Sequence, residues 1–327
     1  MRVLTTGGSG FIGSHVVDLL AAAGHTPVNF DLETSPHAGG DRYETILGDL
    51  CDETAVRAAV EGCDAIVHCA AMADVDQVAK DPARTDLVNV RGTQVLLEAA
   101  RQAGISRFVY ASTIWVYGDA TGPEPIDEDL GLPLPKHFYT ATKIAGEMYV
   151  RSYGELYGLE HTILRFGIPY GPRSRPTAVV AAFVAKALAG QPLTIAGDGT
   201  QSRRFVYVED LADGVVAALQ PTAANRVYNL VGSETVSVRA IARTVRDVVG
   251  DVPIVHVEGR AGDLRGANIS GARALEELGW EPTTSFADGV RRYVGWVTAT
   301  EGTPSAATAS STAGSAAAVR RQESAEL

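Results

Sequence analysis

The 327-residue sequence predicts an α/β fold, a doubly wound parallel sheet with a smaller mixed lobe toward the C-terminus. Short β-rich runs alternate with helical patterns through the first half, as βαβ units do. A glycine-rich turn, TTGGSGFIGSH, joins the first such run to the first helix. Past about Tyr170 the alternation becomes irregular, as expected of a separate lobe.

Taken in order, MRVLTT, HTPVNFD, CDAIVHCAA and SRFVYAS read as strands. HVVDLLAAAG, TAVRAAVEG and NVRGTQVLLEAARQAG read as helices, several closed by a glycine that tolerates a left-handed C-cap. IAGEMYVRSYGELYG continues a helix from Lys143, and EHTILRFG extends the sheet. The lobe is expected from about Tyr170 to Leu193 and from Val227 to Trp296, with Phe205 to Leu219 returning to the main body. From about Thr300 the chain is poor in aromatic and large aliphatic residues, so a disordered tail is expected.

Composition narrows the partners. The chain carries 28 basic and 39 acidic residues, net −11, with no Lys/Arg-rich block, so no nucleic acid is expected to bind. The N-terminus runs straight into a strand, and no window approaches the roughly 20 apolar residues of a membrane span. A cytoplasmic protein with no membrane partner is expected. Cys51, Cys63 and Cys69 are odd in number and lack a Cys-x2-Cys pair, so they read as reduced thiols and no metal is expected.

Gly7, Gly10 and Gly13, with Phe11 and Ile12 among them, lie between a predicted strand and a predicted helix. That context fits a tight turn, close approach of backbone N–H groups to a pyrophosphate, and the positive end of a helix facing it. The second strand ends at Asp31, about 20 residues on, where an acid binds the adenosine ribose of NAD rather than NADP. Capping of the following turn is the other reading of Asp31. Asp49, with Leu50 beside it, ends another strand-like piece from which it could reach an adenine amino group.

In FYTATK, Tyr139 and Lys143 are four apart on one helix face. A tyrosine titrating near 10 is a weak base at neutral pH, and a nearby ammonium favours its phenolate. Such a pair also occurs by chance; the glycine turn upstream gives it meaning.

TGGSGFIG, Asp31, GDL (48–50), HCAA (68–71), Asn89, STIWVYG, YTATK, LRFGIPYGP and GDGTQSRRFVYVED together resemble the extended short-chain dehydrogenase/reductase superfamily. Within it the chain is similar to NAD-dependent nucleotide-sugar epimerases and dehydratases, from Met1 to about Trp296. The resemblance implies a Rossmann domain over 1–169, joined by about 205–226, a substrate lobe over 170–299 and a tail over 300–327. It implies Tyr139 as catalytic base, Lys143 on the nicotinamide ribose and lowering the Tyr139 pKa, and Thr113 as the third catalytic hydroxyl. Ala70 and Ala71 would line the cofactor and Asn89 would sit near it. Arg203 and Arg260 would grip a substrate diphosphate, which suits planar guanidiniums; a surface arginine is the plain alternative for each.

Two departures bear on the reaction. Ile168 stands where the family commonly has asparagine, and Phe138, after His137, where proline is frequent. The family's dehydratases place Asp-Glu right after the threonine, and its decarboxylases also keep a carboxylate there. Here those positions are Ile114 and Trp115, which exchange no protons. The expectation is therefore an NAD-dependent 4-epimerase of a nucleotide sugar of the UDP-glucose/UDP-galactose type. A 4-ketoreductase, a dehydratase and, from another class, a non-catalytic dinucleotide sensor are the alternatives. The family often pairs two helices between subunits, so a homodimer through the helices from Thr93 and Tyr139 is expected.

Overall fold

The computed structural model describes residues 1–37, 43–118, 120, 125–258 and 268–301. Arg260 and the expected tail beyond Glu301 fall outside them; the first two tail residues, Thr300 and Glu301, end the last helix. The first half runs β1 (Arg2–Thr6), α1 (Phe11–Ala22), β2 (Thr26–Asp31), β3 (Glu44–Leu47), α2 (Glu53–Val60) and β4 (Ala65–His68). Next come α3 (Val75–Lys80), α4 (Pro82–Asp86), a π-helical turn (Leu87–Arg91), α5 (Gly92–Gln102), β5 (Arg107–Thr113), a 3-10 turn (Ile114–Tyr117), α6 (Phe138–Tyr157) and β6 (Glu160–Phe166).

The second half comprises β7 (Ile168–Tyr170), α7 (Val179–Leu188), β8 (Leu193–Ala196), β9 (Ser202–Tyr207), α8 (Val208–Ala217) and β10 (Arg226–Leu230). It ends with β11 (Thr235–Ser237), α9 (Val238–Val249), β12 (Ile254–Val257), α10 (Ala272–Leu278) and α11 (Phe286–Glu301).

A seven-stranded parallel sheet has the order β10-β6-β5-β4-β1-β2-β3. Its central strands are apolar on both sides because helices cover both faces: β1, β4 and β5 are buried almost throughout. One core packs Val3, Val67, Val109 and Leu164 against Val16 and Leu20 of α1 and Leu211 and Val215 of α8. The other packs Leu4, Ile66, Phe108 and Ile163 against Leu96 and Leu97 of α5 and Val150 of α6.

The lobe holds a three-stranded sheet, β11-β9-β7, and a two-stranded one, β12-β8, around their own core with α7, α9 and α11. The partition differs from the expected one at two strands. β9 lies in the lobe, and β10, expected there, is the edge strand of the main sheet, paired in parallel with β6 from Arg226↔Thr162 to Leu230↔Phe166. That pairing spans more than 60 residues and is set by burial of Tyr228 and Leu230, which local pattern does not reveal.

From β1 the chain adds β2 and β3 on one side and then β4, β5 and β6 on the other, so a crevice opens beyond the C-terminal ends of β1 and β4. This is where open α/β sheets bind ligands.

Candidate active site

A cavity of about 960 Å³ fills that crevice and continues to the lobe. Gly7 closes β1 with φ +73°, and a Cβ there would lie 2.8 Å from the backbone N and Cα of Ala70. A Cβ on Gly13 would overlap the Gly7 carbonyl. Gly10 precedes α1 in extended conformation, and no side chain caps the helix. The turn therefore brings α1 and the end of β4 to contact distance, and leaves the amides at the start of α1, beside Phe11 and Ile12 in the cavity wall, for a ligand.

Asp31, at the end of β2, also lines the cavity. Its carboxylate accepts from the Ser9 N–H at 2.9 Å and the Leu32 N–H at 2.7 Å, so it braces the glycine turn while facing the crevice. The second bond is the local cap considered from sequence; cavity lining and capping coexist. Asp49 accepts from the Cys51 N–H at 2.9 Å and from Arg84 at 2.7 Å, and these two partners hold its carboxyl below the usual range. Asp49, Leu50, Ala70 and Ala71 all border the cavity.

Asn89 does not border it. Its amide accepts from the Met72 N–H at 2.8 Å and donates to the Met72 carbonyl and Thr142 hydroxyl, both at 3.0 Å. It supports the cavity wall after Ala71 from behind. His68 is similarly structural, bonded to Thr6 and Thr93 and lowered by burial to about 3, hence neutral.

Thr113, at the end of β5, and Tyr139, in the first turn of α6, meet in the cavity. Lys143 lies one turn deeper, buried, donating from Nζ to the Ala111 carbonyl at 2.8 Å with its ammonium 5.0 Å from the Tyr110 ring centre. Burial lowers its pKa to about 8. Tyr139 departs from expectation: burial pushes its phenol up to about 12, and the opposing charge is Arg175 rather than Lys143. The reason is desolvation, which disfavours the charged form of both groups, while the ammonium is directed at a carbonyl.

Ser112 also borders the cavity, but its hydroxyl is committed to the buried Glu147, to which it donates at 2.6 Å. Ile114 is buried in a small apolar cluster, whereas Trp115 forms cavity wall with its ring 5.9 Å from His137.

On the lobe side the wall is Phe166, Ile168, Tyr170, Val180 and Phe205, with Ser174 and Arg175 as polar groups. Arg175 also pairs with Asp74 at 2.8 Å. Sequence reading missed Arg175; the two arginines of PRSRP are its only local trace, because a left-handed Arg173 (φ 67°), paired with Asp18 at 2.8 Å, shapes this loop. Arg203 lies on β9, two residues before Phe205 and so on the same strand face, but is not part of the cavity wall. The bordering carboxylates among the described residues are Asp31, Glu33 and Asp49, all from the β2–β3 side of the crevice. Nor do the described residues contain a cluster of three or more His, Cys, Asp or Glu able to hold a metal ion.

A model of the NAD dependent epimerase/dehydratase family matches residues 3–231. The chain belongs to this family. It is 37% identical over 309 residues to UDP-glucose 4-epimerase of Mycolicibacterium smegmatis, covering 90% of this chain and 97% of that one. It is also 31% identical over 333 residues to dTDP-glucose 4,6-dehydratase of Salmonella typhimurium, covering 90% and 92%. The crystal structure of Thermus thermophilus UDP-glucose 4-epimerase in complex with NAD superposes with a TM-score of 0.83 at 34% identity, over 91% of this chain and 99% of that one. The cofactor of the family is NAD. The side-chain-free cradle at Gly7, Gly10 and Gly13, and the carboxylate of Asp31 beside it, fit a dinucleotide. No helix among the described residues is long and apolar enough to cross a membrane.

Proposed function

We propose that this family member is a nucleotide-sugar 4-epimerase of the UDP-glucose/UDP-galactose type. The observation that carries the reading is the absence of a carboxylate from the Thr113–Tyr139 end of the cavity among the described residues. Elimination of water from the sugar needs a further acid and base there. Ile114 is buried away from the cavity and Trp115 presents only an indole.

NAD, when bound, supplies the hydride acceptor for C4, returns the hydride, and adds a positive charge at the nicotinamide. Tyr139, as phenolate, takes the proton of the C4 hydroxyl and gives it back to that same oxygen when the configuration at C4 has been inverted. Thr113 hydrogen-bonds the same oxygen, and Lys143 holds the nicotinamide ribose. Gly7, Gly10 and Gly13 with the start of α1 hold the pyrophosphate, Asp31 the adenosine ribose, and Asp49 the adenine. Arg203 and Arg260 grip the substrate diphosphate, with Arg175 of the cavity wall as a further cation near it. The apolar wall from Phe166 to Tyr170 gives the sugar few fixed hydrogen bonds and room to turn.

Incubation of the purified protein with UDP-glucose, UDP-galactose, their N-acetyl and uronate forms and dTDP-glucose, without added cofactor, tests this reading. Formation of a C4 epimer is expected. No conversion until NAD(P)H is added, followed by its stoichiometric consumption, would mark a ketoreductase, and a 4-keto-6-deoxy product a dehydratase.

We further propose a homodimer through α5 and α6, in the cytoplasm. Tyr149 and Leu156 of α6 are exposed although apolar and, seven residues apart, share one helix face, with Met148 and Tyr157 exposed at its two flanks. Sedimentation is expected to give twice the chain mass for the wild type and a monomer for Tyr149→Glu/Leu156→Glu. A wild-type monomer at micromolar concentration would overturn the dimer, and recovery of the protein in a membrane or secreted fraction the location.

A further inference from the structure

Ser112 and Arg165 stand opposite one another in register across β5 and β6. Both reach the single carboxylate of Glu147 on α6. Ser112 Oγ donates to Glu147 Oε1 at 2.6 Å; Arg165 donates from Nε to Oε1 at 3.1 Å and from Nη2 to Oε2 at 2.9 Å. Arg165 is itself braced, donating from Nη1 to the Tyr117 hydroxyl at 2.9 Å and the Glu128 carbonyl at 3.3 Å. The Tyr117 hydroxyl in turn donates to Asn229 Oδ1 at 2.7 Å. Ser112, Glu147 and Arg165 are all at most 3% exposed. Tyr139, Lys143 and Glu147 recur every fourth residue, so one face of α6 carries them all toward β5.

We propose that Glu147 and Arg165 are positioning residues, which act through Ser112 to fix the end of β5, and hence Thr113, against Tyr139 of α6. Thr113 and Tyr139 come from different elements and must meet the same substrate oxygen. Apolar burial is non-directional, whereas a hydrogen bond fixes both a distance and an angle between the two elements it joins. Lys143 to the Ala111 carbonyl is one such bond, and Ser112 to Glu147, one turn further along α6, is the second. The proposal rests on the reading of Thr113 and Tyr139 as the pair that holds the C4 oxygen.

Ser112→Ala cuts the bond to β5 while leaving Glu147 paired with Arg165, so the buried charge stays compensated and the variant folds. Because a 1 Å misplacement costs about 100-fold in rate, kcat is expected to fall about tenfold while KM stays within about twofold. Glu147→Gln, assayed well below its own melting transition, is expected to show the same split with a larger loss in kcat; should it not fold, Ser112→Ala decides. Wild-type kcat in Ser112→Ala, or a loss carried by KM instead, overturns the proposal. A wild-type protein that converts no nucleotide sugar overturns the reading of the site instead.

Discussion

Tyr139→Phe is expected to lower kcat by about 10²–10⁴-fold, the usual contribution of a positioned general base. The substitution keeps the ring that closes the cavity wall and removes only the hydroxyl. Among the described cavity-lining residues on the β5–α6 side, Tyr139 carries the one group able to take a proton from a C4 hydroxyl and return it: Thr113 ionises far too high, and Lys143 lies deeper, bonded to the Ala111 carbonyl. Burial holds the phenol near 12, so in the proposed mechanism only a small ionised fraction is present at neutral pH. Cations that stabilise the phenolate, Arg175 among them, raise that fraction. Steady-state rates with the preferred nucleotide sugar, alongside circular dichroism to establish folding, check this. A Tyr139→Phe rate within threefold of wild type would remove Tyr139 from the mechanism.

Gly13→Ala is the second large effect. Its methyl would overlap the Gly7 carbonyl and lie 2.7 Å from the Gly7 carbonyl carbon and 2.9 Å from the Gly8 Cα, all backbone atoms that cannot rotate aside. Either α1 lifts from the turn or the turn opens, and in both cases the amides at the start of α1 leave the pyrophosphate position. Overpacking of this kind costs about 1–3 kcal/mol in stability. NAD content after purification is expected to fall to near zero, with affinity at least about tenfold weaker, since losing about 1.4 kcal/mol of binding is tenfold. At Gly10 an added Cβ meets only the Gly7 carbonyl oxygen, at 3.2 Å, so NAD loss in Gly10→Ala would report a clash with the pyrophosphate and not a displaced turn. Acid release and quantification of bound nucleotide measures the loss; full NAD occupancy in Gly13→Ala would show that the close approach at Gly7 is not what seats the cofactor.

The parts of this site legible in the sequence are those whose logic is local. The strand–turn–helix around Gly7 to Gly13 needs only a left-handed residue and an uncapped helix start, both visible as glycines. Tyr139 and Lys143 share a helix face by spacing alone. What sequence did not reveal depends on distant partners. Ser112 parts company with Thr113 only because Glu147 and Arg165 wait on other elements, 35 residues away in the case of Glu147. Asn89 proved to be a clamp on Met72 because the π-helical turn aims its amide at that backbone. Arg175 enters the cavity through a loop whose left-handed Arg173 no local rule predicts. β10 reads locally like any short strand, and only its long-range pairing with β6 assigns it to the main sheet.

In the proposed epimerisation one hydride leaves C4 and returns to it within a single turnover. A nucleotide sugar carrying deuterium at C4, incubated with the purified protein in ordinary water and without added cofactor, tests it directly. The expected product is a C4 epimer that keeps its deuterium at C4, with no reduced cofactor released into solution. Loss of the label to solvent, or a product lacking the elements of water, would contradict it.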